Sequence, residues 1–204
     1  MQRYFITAIG TDSGKTLVSA IFTEAFQADY WKPVQAGFPT DSQRVKELVS
    51  NKNTVILPEK YVLKTPASPH AAAVIDQLNI KVADFGLPHQ DKNLIIEGAG
   101  GIMVPLNDQE TMGNLMVYFG LPVVLVSNLY LGSINHTLLS VAYLKELGVE
   151  VAGLVFNGEP NPASESVIQS MTGLKVLLRI PHLSSVNKAV VKKYASLLKK
   201  QLPS

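Results

Sequence analysis

The chain has 204 residues, of which 47% are hydrophobic, and a chain of this length and composition is expected to bury a full core as a single domain over residues 1–204. The net charge of +2 gives no reason to expect a nucleic acid or a membrane as a partner, and the absence of cysteine excludes disulfides, thiolate nucleophiles and zinc–thiolate sites. Because no apolar run reaches about 18 residues and no signal-peptide pattern is present, we expect neither a membrane span nor export, and therefore a cytoplasmic protein.

The first informative stretch is a strand, a loop and a helix in direct succession. The apolar run Tyr4–Ile9 predicts a buried strand, and the periodicity of Leu17–Phe26 predicts a helix. Between them lies Gly10-Thr11-Asp12-Ser13-Gly14-Lys15-Thr16, a phosphate-binding loop in which Ile9 stands where the usual pattern has its first glycine. Since the free N–H groups and the dipole of a helix N-terminus attract anions, we predict a nucleotide site here rather than an ordinary turn with a surface lysine.

This loop also predicts which groups contact ATP and Mg²⁺. Lys15 is placed to span the β- and γ-phosphates, and the Thr16 hydroxyl occupies the position of the usual magnesium ligand. We assign the nucleotide contacts in this part of the chain to Asp12, Ser13, Gly14, Lys15, Thr16 and Leu17.

The second predicted strand, Asp29–Val34, brings a lysine to the edge of the sheet. Lys32 lies at the end of this strand, where open parallel sheets bind ligands, and it either binds a ligand or is solvated. A helix is predicted over Arg44–Val49. Asp41, just before it, is either a helix cap, which the sequence favours, or a magnesium ligand.

The following segment carries weaker signals. We predict a short apolar strand after Asn53, a proline-rich turn over Thr65–His70 and an alanine-rich helix from about Ala71 to Leu78. A lone histidine after a proline, such as His70, is more often a helix-start or packing residue than an acid–base catalyst. Residues 79–92 predict only a short helix or a loop.

A glycine-rich segment follows the apolar run that begins at Asn93. This run ends in Glu97 and is followed by Gly98-Ala99-Gly100-Gly101. P-loop proteins place a second magnesium-directed acid on the strand beside the phosphate loop, and we assign that role to Glu97. The alternative, a solvent-facing glutamate at a strand end, is disfavoured because the glycines let the backbone approach a ligand.

The last third of the chain continues the alternation of strands and helices. Strands are predicted over Leu121–Val126, Val149–Phe156 and Leu174–Leu178, with one helix ending near Leu147 and another over Lys188–Lys200. Ser133 or Asn135 can start the first of these helices, and Asn157 can contact adenine or cap a turn. The pattern predicts one doubly wound α/β domain of the P-loop NTPase type, with a mainly parallel central sheet flanked by helices.

Several separated motifs together resemble the dethiobiotin synthetase family along almost the whole chain. They are Gly10-Thr11-Asp12 with Gly14-Lys15-Thr16, residues 30–37 around Lys32, Ser68-Pro69-His70, Glu97–Gly101 with Pro105-Leu106, Leu131–His136 and Asn157. The resemblance implies a homodimer that uses ATP and Mg²⁺ to close a cyclic urea from 7,8-diaminononanoate and CO₂, through a carbamate and a carbamic-phosphoric anhydride, with release of ADP and phosphate.

The same resemblance implies roles for individual residues. The carbamate and the transferring phosphoryl group would be held by Thr11, Lys15 and Lys32. Magnesium would be surrounded by Thr16, Asp41 and Glu97, and adenine would be held by Asn157 and Pro181. The diamine would contact Lys32 and Gly100 in one subunit and, in the partner subunit, Gly132, Ser133 and Asn135.

The resemblance leaves one alternative from another functional class. A P-loop switch ATPase of the positioning or partition type is expected to have a lysine near the start of its loop, where this chain has Gly10, and often a basic tail. Two residues also depart from the dethiobiotin synthetase pattern: Ala8 stands in place of a glycine, and Ala36 in place of the serine or threonine of some members.

Overall fold

The computed structural model describes residues 1–88 and 91–202. Its strands are β1 (Arg3–Ala8), β2 (Asp29–Trp31), β3 (Val34–Ala36), β4 (Ile56–Leu57), β5 (Tyr61–Leu63), β6 (Leu94–Gly101), β7 (Val123–Asn128), β8 (Val151–Asn157) and β9 (Val176–Ile180). Its α-helices are α1 (Lys15–Phe26), α2 (Asp41–Leu48), α3 (Pro69–Ile75), α4 (Met112–Phe119), α5 (Ser133–Glu146), α6 (Pro162–Thr172) and α7 (Lys188–Lys199). None of the described helices is long and apolar enough to cross a bilayer.

A parallel sheet forms the centre of the described chain. Its seven strands lie in the order β4-β2-β6-β1-β7-β8-β9. The inner strands are continuous apolar runs because both of their faces are covered. The order reverses next to β1, so the loop after β1 opens at the edge where sheets of this type bind ligands. The predicted doubly wound α/β fold is confirmed.

Helices cover both faces of this sheet. On one face, α1, α2 and α7 pack over Ile6, Tyr30 and Ile95, whereas α4, α5 and α6 pack over Phe5 and Ile96 on the other. Because successive side chains of a strand point to opposite faces, Tyr30 faces α1 and the next residue along faces α4. The two cores therefore hold the strand ends in a fixed register.

An aromatic cluster supports the sheet beneath the site, and we expect its loss to be costly. Phe85 is buried, with its ring centroid 6.4 Å from that of Trp31, 6.3 Å from Phe119 and 5.4 Å from Tyr61. Truncating a buried phenylalanine costs about 3–5 kcal/mol, so Phe85→Ala should lower the free energy of unfolding by that amount in urea. The exposed Val74→Ala should change it by less than about 0.5 kcal/mol, and equal effects would contradict the packing argument.

The structure divides the second predicted strand in two. Pro33 lacks an N–H group and cannot continue the ladder, so β2 remains in the central sheet while β3 joins β5 in a separate two-stranded parallel sheet. The strand assigned to Asn93–Glu97 is longer than predicted, since β6 continues through the glycines to Gly101. Within the weakly patterned residues 79–92, a short 3₁₀ helix spans Val82–Asp84, and residues 89–90 lie outside the described residues.

Candidate nucleotide and substrate site

The loop between β1 and α1 forms the floor of the site. Gly14 is the N-cap of α1 and has a left-handed backbone with φ of 91°, which a glycine adopts without strain. The buried Ser13 hydroxyl donates to the Gly10 carbonyl over 3.1 Å, and Lys15 Nζ donates to the same carbonyl over 3.0 Å. The lysine therefore curves back over the loop, and the N-terminus of α1 points into the cleft.

The Lys15 ammonium lies in an unfavourable environment without a ligand. Burial, followed by the positive charge of Lys32, lowers the pKa of Lys15 to about 8, and the nearby carboxylates Glu97, Asp41 and Asp12 compensate only in part. An anion placed against this lysine would stabilise its charged form. The electrostatics therefore favour a phosphate at this point.

A compact polar cluster lies beside the loop. Thr16 Oγ1 is 3.0 Å from Asp41 Oδ1 and 2.9 Å from Glu97 Oε1, so one hydroxyl lies between two carboxylates. Lys32 Nζ is 2.7 Å from Asp41 Oδ2 and 3.0 Å from Glu97 Oε1, and it also donates to the Gly98 carbonyl over 3.0 Å. The cluster thus connects the start of α1, the end of β2, the start of α2 and the strand β6.

Lys32 is the internal cation of this cluster. It is only 4% exposed, and although burial favours its neutral form, the charges of Glu97 and Asp41 outweigh this and raise the pKa of Lys32. Burial likewise favours protonation of Asp41, but the Lys32 charge and the hydrogen bonds from Lys32 and Thr16 hold the pKa of Asp41 below its ordinary value. The predicted alternative of a solvated lysine is wrong.

The position of Asp41 corrects the prediction that it caps α2. The N-cap is Thr40, whose side chain accepts from the Gln43 amide in a capping box, and Asp41 is the first helical residue. Because Thr40 supplies the cap, the Asp41 carboxylate faces Thr16 and Lys32, while the Asp41 backbone N–H donates to Gln35 Oε1 over 3.1 Å. Ser133 is likewise the first residue of α5 rather than its cap, because the N-cap is Gly132.

Sequence reasoning missed Tyr30 and Gln35. The Tyr30 hydroxyl donates to Glu97 Oε2 over 2.8 Å inside the protein, and burial, followed by the Glu97 charge, raises the pKa of Tyr30 well above its ordinary value. The available signal was spacing: Tyr30 and Lys32 are two residues apart on one strand and therefore point to the same face. Gln35 left no comparable signal, because its contact with Asp41 depends on the path of the intervening turn.

The loop and the polar cluster share one cleft of about 820 Å³. It brings together most of the residues predicted for the site, namely Thr11, Asp12, Ser13, Gly14, Lys15, Thr16, Lys32, Asp41, Glu97 and Gly100. Ala36 and the Pro66–Pro69 turn line its opposite side. Ala8, the other residue that differs from the dethiobiotin synthetase pattern, is fully buried in β1 opposite Gly101 and does not line the cleft.

Other predicted residues lie outside the lining of this cleft. Leu17 packs against the core, and the Asn157 amide donates to the Ser13 carbonyl over 2.9 Å, which ties the end of β8 to the loop. Pro181 directly follows β9, the neighbour of β8. His70 lies in the first turn of α3, as the helix-start interpretation predicted, with its Nδ1 3.1 Å from Ser68 Oγ.

The residues around the start of α5 form a second, separate group. Gly132 caps the helix with φ of 106°, followed by Ser133 and Asn135, and none of the three contributes to the described lining of the cleft. The neighbouring Leu131 is fully exposed. Within one subunit, therefore, the structure does not bring this group to the loop.

The donor set beside Thr16 suits magnesium, which prefers hard oxygen ligands and retains a partial shell of water and phosphate. An oxygen of each of the two carboxylates lies within 3.0 Å of the Thr16 hydroxyl. Within residues 1–88 and 91–202, no three His, Cys, Asp or Glu side chains gather to hold a metal by themselves. A divalent ion at this place would therefore need further oxygens, from water or a bound phosphate.

Known proteins resemble this chain over nearly its whole length. A family model described as an AAA domain matches residues 2–190. An ATP-dependent dethiobiotin synthetase BioD from Cytophaga hutchinsonii is 54% identical over 197 residues, which cover 96% of each chain. The protein of the same name from Christiangramia forsetii is 49% identical, with 98% of each chain covered.

The chain belongs to the dethiobiotin synthetase family. As a member of this family, it is an enzyme of the ATP-dependent ligase type rather than a passive nucleotide binder. The resemblance deduced from its motifs is thereby confirmed.

The solved structures add information about the fold. The septum site-determining protein MinD from Pyrococcus horikoshii, in a complex with Mg-ADP, aligns with a TM-score of 0.60 over 98% of this chain and 96% of its own. Its sequence is 14% identical to this one, so the likeness extends to the P-loop NTPase fold alone. The partition-type alternative gains nothing from it, whereas dethiobiotin synthetase membership rests on far higher identity.

Proposed function

We propose that this enzyme closes 7,8-diaminononanoate and CO₂ into the cyclic urea of dethiobiotin, with ATP converted to ADP and phosphate. The observation that carries the proposal is the relative of 54% identity that matches 96% of both chains. The cleft supports it, because two buried lysines lie side by side at the point where a phosphoryl group and an acidic substrate would meet.

In this proposal the loop holds the phosphates of ATP. The backbone N–H groups of Asp12, Ser13 and Gly14 and the dipole of α1 attract them, and Lys15 leaves the Gly10 carbonyl to contact the β- and γ-phosphates. Asn157 and Pro181, at the ends of β8 and β9, would hold adenine. The tie between Asn157 and Ser13 supports this, since it places an amide close to the loop.

Magnesium would be held by Thr16, Asp41, Glu97 and the nucleotide. When bound, it would neutralise charge that develops on the phosphates during transfer. Lys32 now pairs with both of these carboxylates, so we expect it to turn away from Asp41 and toward the γ-phosphate. The shared cleft of Lys32 and Lys15 supports a role for Lys32 in the reaction itself.

The chemistry then proceeds without an evident general base. An amine nitrogen of the diamine bonds to CO₂ and loses a proton, and Thr11 and Lys32 hold the resulting carbamate. A carbamate oxygen attacks the γ-phosphorus and displaces ADP. The second amine attacks the carbamate carbon and loses a proton to solvent, the bond from carbon to the phosphate oxygen breaks, and phosphate leaves.

We further propose that the enzyme is a homodimer with the diamine at the subunit interface. Gly100 and Lys32 would contact the diamine in one subunit, and its carboxylate tail would meet the partner subunit's Gly132, Ser133 and Asn135. The helix start favours an anion, and the exposed Leu131 beside it supports a covered surface. Light scattering that gave a monomer at assay concentrations would contradict this arrangement.

The test of the proposed function is phosphate release from ATP with Mg²⁺ and bicarbonate, with and without 7,8-diaminononanoate, and mass analysis of the product. We expect release to depend on the diamine and to yield the cyclic urea with one phosphate per ring. Slow release that ignores the diamine would instead favour a switch ATPase.

The lowered pKa of Lys15 gives this proposal a pH signature. Bound phosphates raise the pKa of Lys15. Nucleotide affinity should therefore not change with pH below pH 8, where Lys15 of the free enzyme is already protonated, and should fall as the pH rises above 8. At about pH 8.5, calorimetry of ADP binding in two buffers of different ionisation enthalpy should show proton uptake. The Lys15→Arg variant keeps its positive charge at this pH and should take up no proton. An unaltered enzyme that took up no proton on binding ADP would contradict this prediction.

A further inference from the structure

We propose that Tyr30 is a positioning residue that orients the Glu97 carboxylate toward magnesium. Its hydroxyl lies 2.8 Å from Glu97 Oε2, on the side of the carboxylate away from Thr16 and Lys32. The inference rests on the proposed function, because it presumes that magnesium and nucleotide meet at Thr16. It adds a residue that lies behind the cleft and does not line it.

The two oxygens of Glu97 have different partners. Oε1 is 2.9 Å from Thr16 Oγ1 and 3.0 Å from Lys32 Nζ, both of which line the cleft. Oε2 accepts the Tyr30 hydrogen bond, and both Tyr30 and Glu97 are buried, with Glu97 1% exposed. The carboxylate is therefore anchored by one oxygen and presents the other.

The sheet fixes this division of the two oxygens. Tyr30 pairs with Ile95 and Trp31 with Ile96, so the ends of β2 and β6 run side by side and Glu97 lies on the same face as Tyr30. The tyrosine ring is held between the sheet and α1 and has little freedom to move. Without the Tyr30 hydroxyl, rotation of the Glu97 carboxylate would be opposed by the contacts of Oε1 with Thr16 and Lys32 and no longer by a contact of Oε2 with Tyr30.

The phenol is also suited to remain a donor. Its O–H faces a carboxylate oxygen, which acts as an acceptor, and both groups are buried. A ligand held from behind loses less freedom when a metal binds. Residues of this kind, which contact a ligand and not the metal, typically change metal affinity by about 10- to 100-fold when mutated.

Tyr30→Phe removes the hydroxyl and keeps the ring. We expect Mn²⁺, followed by electron paramagnetic resonance with a non-hydrolysable ATP analogue, to bind about 10-fold more weakly to this variant. Binding of the analogue in EDTA should not change, and excess Mg²⁺ should restore turnover. The matched control is Tyr61→Phe, which loses a phenol-to-carboxylate hydrogen bond of 3.0 Å to Asp84, away from the cleft lining, and should bind Mn²⁺ normally.

Glu97→Gln supplies a second test of the same contact. In the Glu97→Gln variant, adding Tyr30→Phe should cause no further loss of Mn²⁺ affinity, because the carboxylate that the Tyr30 hydroxyl orients is no longer there. If Tyr30→Phe does not fold by circular dichroism, 3-fluorotyrosine at position 30 of the otherwise unaltered chain replaces it. Its ¹⁹F resonance should then move when Mg²⁺ is added to the nucleotide complex and should stay fixed in EDTA.

The outcomes separate this inference from the proposed function. Unchanged Mn²⁺ affinity in Tyr30→Phe, equal losses in the two tyrosine variants, or a ¹⁹F resonance insensitive to Mg²⁺ would each overturn the role of Tyr30. Neither the Mn²⁺ measurement nor the ¹⁹F measurement needs the diamine. A chain without diamine-dependent phosphate release would therefore lose its proposed activity while the metal readouts still test Tyr30.

Discussion

Lys32→Met should abolish formation of the cyclic urea while nucleotide still binds. The ammonium of Lys32 lies between Asp41 and Glu97, beside Lys15, where the proposed phosphoryl transfer would develop negative charge. Loss of one such donor from a closed site lowers kcat by about 10²- to 10³-fold. Methionine keeps the length and packing of the buried stem, so the loss should appear in kcat, whereas calorimetry should show that Mg²⁺ and ADP bind no more weakly than to the unaltered enzyme.

The same variant should depend on magnesium for its stability. Breaking a buried ion pair by removal of one partner costs about 3–5 kcal/mol, because the buried Glu97 would lose its partner cation. Mg²⁺ with nucleotide replaces the missing charge, so Tm should rise more on adding them than it does in the unaltered enzyme. The exposed Lys192→Met is the matched control and should match the unaltered enzyme in both measurements. A parallel loss of nucleotide binding would remove Lys32 from the carbamate side of the site.

Local sequence was sufficient to predict the parts of this site that lie within one motif. The loop Gly10–Thr16 and the acid Glu97 were found because each directly follows an apolar strand, and parallel strands end at a common edge. Asp41 was ambiguous, since one side chain near a helix start can cap it or turn away. The neighbouring Thr40 decided the matter by forming the capping box itself.

The parts that sequence did not predict depend on distant contacts. Tyr30 and Glu97 are 67 positions apart, and their hydrogen bond exists only because β2 pairs with β6. Helices α4 and α6 were also missed, although Asn161-Pro162 and Gly173 are ordinary start and stop signals for α6. The separation of β3 from β2 followed from Pro33, which has no N–H group to continue the ladder.

Gly14→Ala should lower nucleotide affinity by about 10- to 100-fold, the equivalent of an overpacking cost of about 1–3 kcal/mol. Two features act against a methyl group there. The backbone has φ of 91°, and an added Cβ would overlap the Asn157 side chain, which donates to the Ser13 carbonyl. To make room, either the loop or the end of β8 must move, and both are proposed to contact ATP.

A second glycine, Gly120, distinguishes the effect of backbone strain from that of steric overlap. Gly120, after α4, has φ of 60°, but a Cβ there would meet nothing within 4 Å. Both alanine variants adopt an unfavourable backbone, at a cost of about 1 kcal/mol that urea unfolding should detect in each. Only Gly14→Ala should also weaken ADP binding in calorimetry. If Gly120→Ala weakened ADP binding equally, general destabilisation would explain the lower affinity, and the close fit of Gly14 against Asn157 would not. The loop would then tolerate a larger residue at position 14 than its geometry indicates.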